Sequence, residues 1–319
     1  MADSSRKLVA LDDDPTGVQT VHGIAVLARW SVDDLASELV RREPAFFILT
    51  NSRSLPEAEA VALNQEIVMN LVEASQRTGV PFAVASRSDS TLRGHFPAET
   101  DAIAEALGGV DGIVLCPAFF EGGRVTIDDV HLVRDGDTLI PAAETEFARD
   151  ATFGYQHSNL RYWVEEKTGG RVPATGVVSL SLTMIREGGA NTIAEVLSRV
   201  EGGQTVVVNA EGYDDLEVVV AGLVQAEAAG KRFVYRTGAS FVRARAGITA
   251  RPLLTRAELL GGNAPPWIPG LVVVGSHVQR SSQQLANVLT LPRTIGVEVQ
   301  VPKLLADEVS ALREVTRVL

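Results

Sequence analysis

The sequence predicts an α/β fold: a doubly wound, mostly parallel sheet, followed by the start of a second α/β domain. Three observations carry this expectation. Short apolar runs alternate with amphipathic helical patterns over residues 8–246, the rhythm of parallel strands joined by crossover helices. Almost every apolar run ends in a loop of Asp, Ser, Thr, Asn or Arg, and in a parallel sheet such loops share the edge where ligands bind. A Gly/Pro-dense stretch at residues 261–270 breaks both helix and strand and divides the chain.

The first strand, Leu8-Val9-Ala10-Leu11, runs straight into Asp12-Asp13-Asp14-Pro15-Thr16-Gly17. Three crowded carboxylates repel one another unless a cation, a proton or hydrogen-bond donors compensate. A second strand is expected over residues 22–28 and a helix over residues 32–42, capped by Ser31. Residues 45–49 form a third strand leading into Thr50-Asn51-Ser52-Arg53-Ser54. A long helix follows over residues 56–78, with Pro56 in its first turn and Gly79 closing it. The fourth strand, residues 82–85, leads into Ser86-Arg87-Ser88-Asp89-Ser90-Thr91-Leu92-Arg93-Gly94-His95. A helix over 97–107 and a fifth strand over 112–116 come next, ending at Glu121-Gly122-Gly123-Arg124.

A hairpin around Asp135-Gly136, a polar excursion over 143–150 and a helix over 159–167 interrupt the rhythm. It resumes with strands at 174–180, 205–209 and 232–235, and with helical patterns at 182–185, 192–200, 214–229 and 238–246. Beyond the linker, the pattern predicts strands at 271–274 and 296–301 and helices over 281–289 and from Lys303. The expected domains are therefore residues 1–260, a linker over 261–270, and residues 271–319. About 50 residues are few for an α/β domain, so the expectation is that the protein continues beyond Leu319 or is a truncated form.

Composition narrows the function. Lys plus Arg is 29 against 40 Asp plus Glu, a net charge of −11, which argues against a general nucleic-acid binder because that needs a basic stripe. A few arginines in one cleft can still hold a small anion. The single cysteine, Cys116, lies in an apolar run and reads as a buried small hydrophobe. No Cys/His spacing suits zinc, and neither a signal peptide nor a membrane span is evident, so the chain reads as cytoplasmic. The sequence does not set the oligomeric state; a homodimer is one state it allows.

The loop from Ser88 to His95 is denser in hydrogen-bonding groups than a connection requires. Hydroxyls and an Asp can hold a polyol, and Arg93 can hold a carboxylate in a bidentate fork. Gly122-Gly123 permits close backbone approach beside Arg124. Gly275-Ser276 can offer backbone N–H groups to phosphate. One alternative is visible in Asp12-x-Asp14-x-Thr16, which resembles the first motif of the haloacid-dehalogenase-like phosphatases, with Asp12 as nucleophile and Asp14 as acid/base. No lysine stands at a suitable strand end for that family's later motifs.

Taken together, Asp13-Asp14-Pro15-Thr16-Gly17, Asp89-Ser90-Thr91-Leu92-Arg93-Gly94-His95 and Gly122-Gly123-Arg124 resemble the four-carbon acid sugar kinase family, in order and in spacing. The likeness extends through Thr237-Gly238-Ala239-Ser240-Phe241 to Gly275-Ser276, Ser281 and Gln284. It departs at Pro15, where the family has an aromatic residue, and at Val278, where it has serine. The resemblance implies ATP-dependent phosphorylation of a terminal hydroxyl on a threonate, erythronate or 3-oxo-tetronate. It implies an acid-sugar domain followed by an ATP-binding one, whose Gly-rich phosphate loops are expected beyond Leu319. On this reading Asp14 or Asp89 accepts the hydroxyl proton, and Asp13 positions substrate or a hydrated Mg²⁺. Arg93 and Arg124 hold the carboxylate, while Thr16, Gly17, Ser88, Ser90 and His95 line the substrate site. Gly275 and Ser276 belong to the nucleotide site. A truncated, non-catalytic sugar-acid-binding module is a second alternative.

Overall fold

The computed structural model describes residues 6–261, 270–276, 279–307, 309, 313 and 316. Packing separates the chain into Met1–Pro252 and Leu253–Leu319.

The first unit is built on eight strands: β1 (Lys7–Asp12), β2 (Val26–Leu27), β3 (Ala45–Leu49), β4 (Phe82–Arg87), β5 (Gly112–Cys116), β9 (Val178–Leu180), β10 (Gln204–Val208) and β11 (Phe233–Thr237). They form one sheet in the order β2-β3-β1-β4-β11-β5-β10-β9, with every neighbouring pair parallel. Strands covered on both faces need apolar residues at every position, which is why they read as continuous apolar runs. In β1, Leu8 and Ala10 join the core that includes α6 (Tyr213–Ala228) and α7 (Ala239–Ala246). Val9 and Leu11 join the opposite core, with α1 (Val32–Leu39), α2 (Glu57–Thr78) and α4 (Leu160–Lys167). Two further helices, α3 (Ala98–Ala106) and α5 (Gly189–Ser198), complete the layers.

Caps behave as the sequence predicts: Ser31 accepts from the Asp34 amide, and Gly79 ends α2 in the left-handed region at φ 71°. The hairpin is part of a small antiparallel sheet of β6 (Arg124–Ile127), β7 (Val130–Asp135) and β8 (Thr138–Pro141). The strand expected at 22–28 shrinks to the two residues of β2, at the edge of the sheet beside β3.

In the second unit the described residues contain α8 (Arg256–Leu260), α9 (Gln279–Leu289) and α10 (Val301–Ala306). The strands expected at 271–274 and 296–301 are not formed. Leu271 and Val273 are more than four-fifths exposed, because an apolar strand needs partners and covering helices that the described residues here do not supply. Linker residues 262–269, His277 and Val278 lie outside the described residues. No described helix is long and apolar enough to cross a membrane.

Candidate functional site

After β3 the chain crosses from one side of β1 to the other to form β4, so the carboxyl ends of β1 and β4 flank a topological switch point. Asp12-Asp13-Asp14 leaves β1 there and Ser88–His95 leaves β4, while Arg53 arrives from the loop after β3. Three loops distant in sequence thus meet at one crevice.

Arg53 is the hub. Its Nε donates to Asp13 Oδ2 at 3.1 Å and its Nη2 to Asp13 Oδ1 at 2.6 Å, and Nη2 also donates to Asp14 Oδ2. Asp14 Oδ1 accepts from the Thr16 amide at 2.7 Å and the Thr16 hydroxyl at 2.5 Å. Burial pushes the Asp14 carboxyl up, but Arg53 and Thr16 outweigh it and hold it below the usual carboxylate range. Asp12 is sealed deeper. Its Oδ1 lies 3.2 Å from Arg87 Nε in an ion pair too poorly aligned for a hydrogen bond, and burial pushes its pKa up to about 7 against the pull of Arg87. Gly17 closes over it: a methyl at Gly17 would fall 2.0 Å from both Asp12 oxygens. A phosphatase nucleophile needs open, in-line access to phosphorus, which this packing denies Asp12.

On the β4 side, Asp89 Oδ2 accepts from the Thr91 hydroxyl and from Arg93 Nε at 2.6 Å. Burial raises the Asp89 carboxyl, but Arg53 and Arg93 override it and hold the group well below the ordinary range. The Arg93 and Arg124 guanidiniums lie 5.1 and 5.8 Å from the centre of the same ring, Phe147, and Arg93 is 3.8 Å from Asp150. Two arginines on one aromatic plane can together hold a carboxylate. Ser88 and Ser90 are buried in the same loop. His95 is elsewhere engaged: its Nε2 donates to the Leu55 carbonyl at 3.0 Å and its ring meets the edge of Phe153.

The family model of a sugar-binding N-terminal domain matches residues 8–245. The chain belongs to this family, that of the four-carbon acid sugar kinases. A D-threonate kinase of Bordetella bronchiseptica is 32% identical over 58% of this chain and 39% of its own length. A D-erythronate kinase of Heliobacterium modesticaldum is 27% identical over 81% of this chain and 53% of its own. The chain therefore spans about half or less of the curated relatives it matches. Among solved structures, a Bordetella bronchiseptica DUF1537 protein with bound citrate, a domain-swapped dimer, superposes with TM-score 0.56 at 24% identity, over 76% of this chain and 56% of that one. That likeness supports the fold.

Within this sugar kinase family member, Asp13 is engaged by protein donors on both oxygens, which accept from Arg53. The described residues contain no group of three His, Cys, Asp or Glu placed to hold a metal. Gly275 and Ser276 lie in exposed chain of the second unit. Four residues of the first-unit site were not singled out by sequence: Arg53, Arg87, Glu99 and Arg236. The signal for Arg236 was present, since it is the charged member of the apolar run Phe233-Val234-Tyr235-Arg236. Fully buried, it donates from Nη1 to the Asp89 carbonyl and from Nη2 to the Arg93 carbonyl, both at 2.9 Å.

Proposed function

We propose that this chain binds a four-carbon sugar acid at the β1/β4 crevice and forms the acceptor side of an ATP-dependent kinase. The observation that carries the reading is the convergence of Asp13, Asp14, Asp89, Arg53, Arg93 and Arg124 at the switch point, in a chain of the sugar acid kinase family. Phosphoryl transfer needs positioning, charge neutralisation and an acceptor for the hydroxyl proton. Arg93 and Arg124 take the carboxylate; Thr16, Ser88 and Ser90 take hydroxyls. Asp14 is the better placed of the two bases, because both are paired with an arginine but Asp14 is the more exposed, 22% of its side chain against 13% for Asp89. ATP brings the phosphoryl group, and its binding to Gly275 and Ser276 rests on the family resemblance alone. The domain-swapped neighbour extends the proposal to a homodimer, which sedimentation tests.

The first experiment is thermal unfolding with D-threonate or D-erythronate, since a ligand of the native state raises the midpoint without turnover. A shift with either acid, reduced in Arg93→Lys, supports the binding half; no shift with any four-carbon acid removes it. Where the chain turns over ATP with the acid, Asp14→Asn is expected to abolish phosphorylation while leaving the shift. Asp89→Asn is expected to lose the shift as well, by releasing Arg93. Full activity in Asp14→Asn would move the base to Asp89.

A further inference from the structure

Four carbonyls of the Asp89–Arg93 loop are all taken by buried side chains from other elements. Arg236 on β11 takes those of Asp89 and Arg93. His131 on β7 donates from Nε2 to the Ser90 carbonyl at 2.7 Å. The Tyr155 hydroxyl donates to the Thr91 carbonyl at 2.8 Å. His131 is locked in one tautomer: a carbonyl can only accept, so Nε2 carries the proton and Nδ1 accepts from Thr126 at 3.0 Å. Burial lowers its pKa to about 4, which keeps the ring neutral.

In a trans peptide the N–H points opposite to the C=O. The amides of Ser90, Thr91 and Gly94 therefore point away from the Arg236–His131–Tyr155 cluster, and none has an acceptor among the described residues. Ser90, Thr91 and Gly94 are buried. The Gly94 end of the loop borders the switch-point crevice, where a methyl on Gly94 would lie 3.2 Å from Asp13 Oδ2. Buried N–H groups without a protein acceptor are rare unless ordered water or a ligand supplies one.

We infer that the amides of Ser90, Thr91 and Gly94 form an anion cradle for the substrate carboxylate, held open by Arg236, His131 and Tyr155 as positioning residues. The inference rests on the sugar-acid reading above. It makes the loop a preformed oxyanion site, in which main-chain dipoles share the charge with Arg93 and Arg124.

The test is amide-resolved NMR of the ¹⁵N-labelled chain titrated with D-threonate, D-erythronate, neutral threitol and inorganic phosphate, alongside thermal unfolding. Expected are downfield shifts of the Ser90, Thr91 and Gly94 amides with a sugar acid and none with threitol. Tyr155→Phe, which keeps the ring and loses the donor, should bind the acid roughly five-fold more weakly, and His131→Gln should do likewise. If the acids raise the midpoint but these amides stay still, the cradle falls and the sugar-acid reading survives. Amides that move with phosphate and not with bound sugar acid overturn the carboxylate assignment. If no acid raises the midpoint or moves any amide, both fall together. Wild-type affinity in Tyr155→Phe and His131→Gln, with both folded, removes the positioning roles.

Discussion

Glu99 shows how one buried side chain ties the site to pH. It opens α3 beneath the Arg53 loop, where its Oε1 accepts from Ser52 Oγ at 2.5 Å and from Asn64 Nδ2 at 3.1 Å. Burial pushes its pKa from 4.5 up to about 7. The native state thus holds this proton to higher pH than the unfolded chain. The stability this supplies is complete below about pH 4.5 and is lost as pH rises through about 7. Glu99→Gln keeps an acceptor for both donors and removes the titration. Urea unfolding should show the variant gaining on the wild type between pH 5 and pH 8, by up to about 3 kcal/mol. A wild type that gains on the variant over that range would contradict a raised Glu99. Asp12, also pushed to about 7, titrates in the same window in both proteins, so the comparison isolates Glu99.

At the scale of elements, the small antiparallel sheet does more than decorate the large one. Thr126 on β6 exchanges backbone hydrogen bonds with Ala210, and its hydroxyl fixes the His131 ring that reaches the Ser90 carbonyl. Thr126→Val keeps the volume and leaves a buried ring nitrogen without a donor. The expected cost is about 1–3 kcal/mol in urea unfolding, together with weaker sugar-acid binding; unchanged stability would mean that His131 is held by β7 alone. Elements of this kind mark where the sequence stops being legible. Apolar runs ending in polar loops announced β1, β3, β4 and β5, and the Asp89–Arg93 loop stood out by its density of polar groups. Strand order is not written locally. β11 inserts between β4 and β5, and only that placement brings Arg236 beneath a loop more than 140 residues earlier in the chain. Arg53 was visible at a strand end, but its grip on Asp13 and Asp14 depends on β3 lying beside β1. The apolar run at 271–274 has the composition of a strand, and composition cannot supply the neighbours that make one.

For the whole molecule, the distribution of buried surface predicts which part carries stability. Every residue of the two apolar cores among the described residues lies between Leu8 and Ile248. The crevice aspartates and arginines named above likewise lie before Pro252: they come from β1, the loops after β3 and β4, and β6. A fragment of residues 1–252 should therefore unfold within about 2 °C of the 319-residue chain, since even 1 kcal/mol moves a domain of this size by roughly 2–4 °C. It should also keep the full midpoint shift with whichever sugar acid the longer chain binds, because ligand stabilisation depends only on the native site. Calorimetry of the two proteins with and without the acid checks both. A fragment that is stable but blind to the acid would place part of the binding site after Pro252. One that unfolds far below the longer chain would show that residues from Leu253 onward support the first unit. Equal midpoints and equal shifts would make residues 1–252 a self-sufficient sugar-acid receptor.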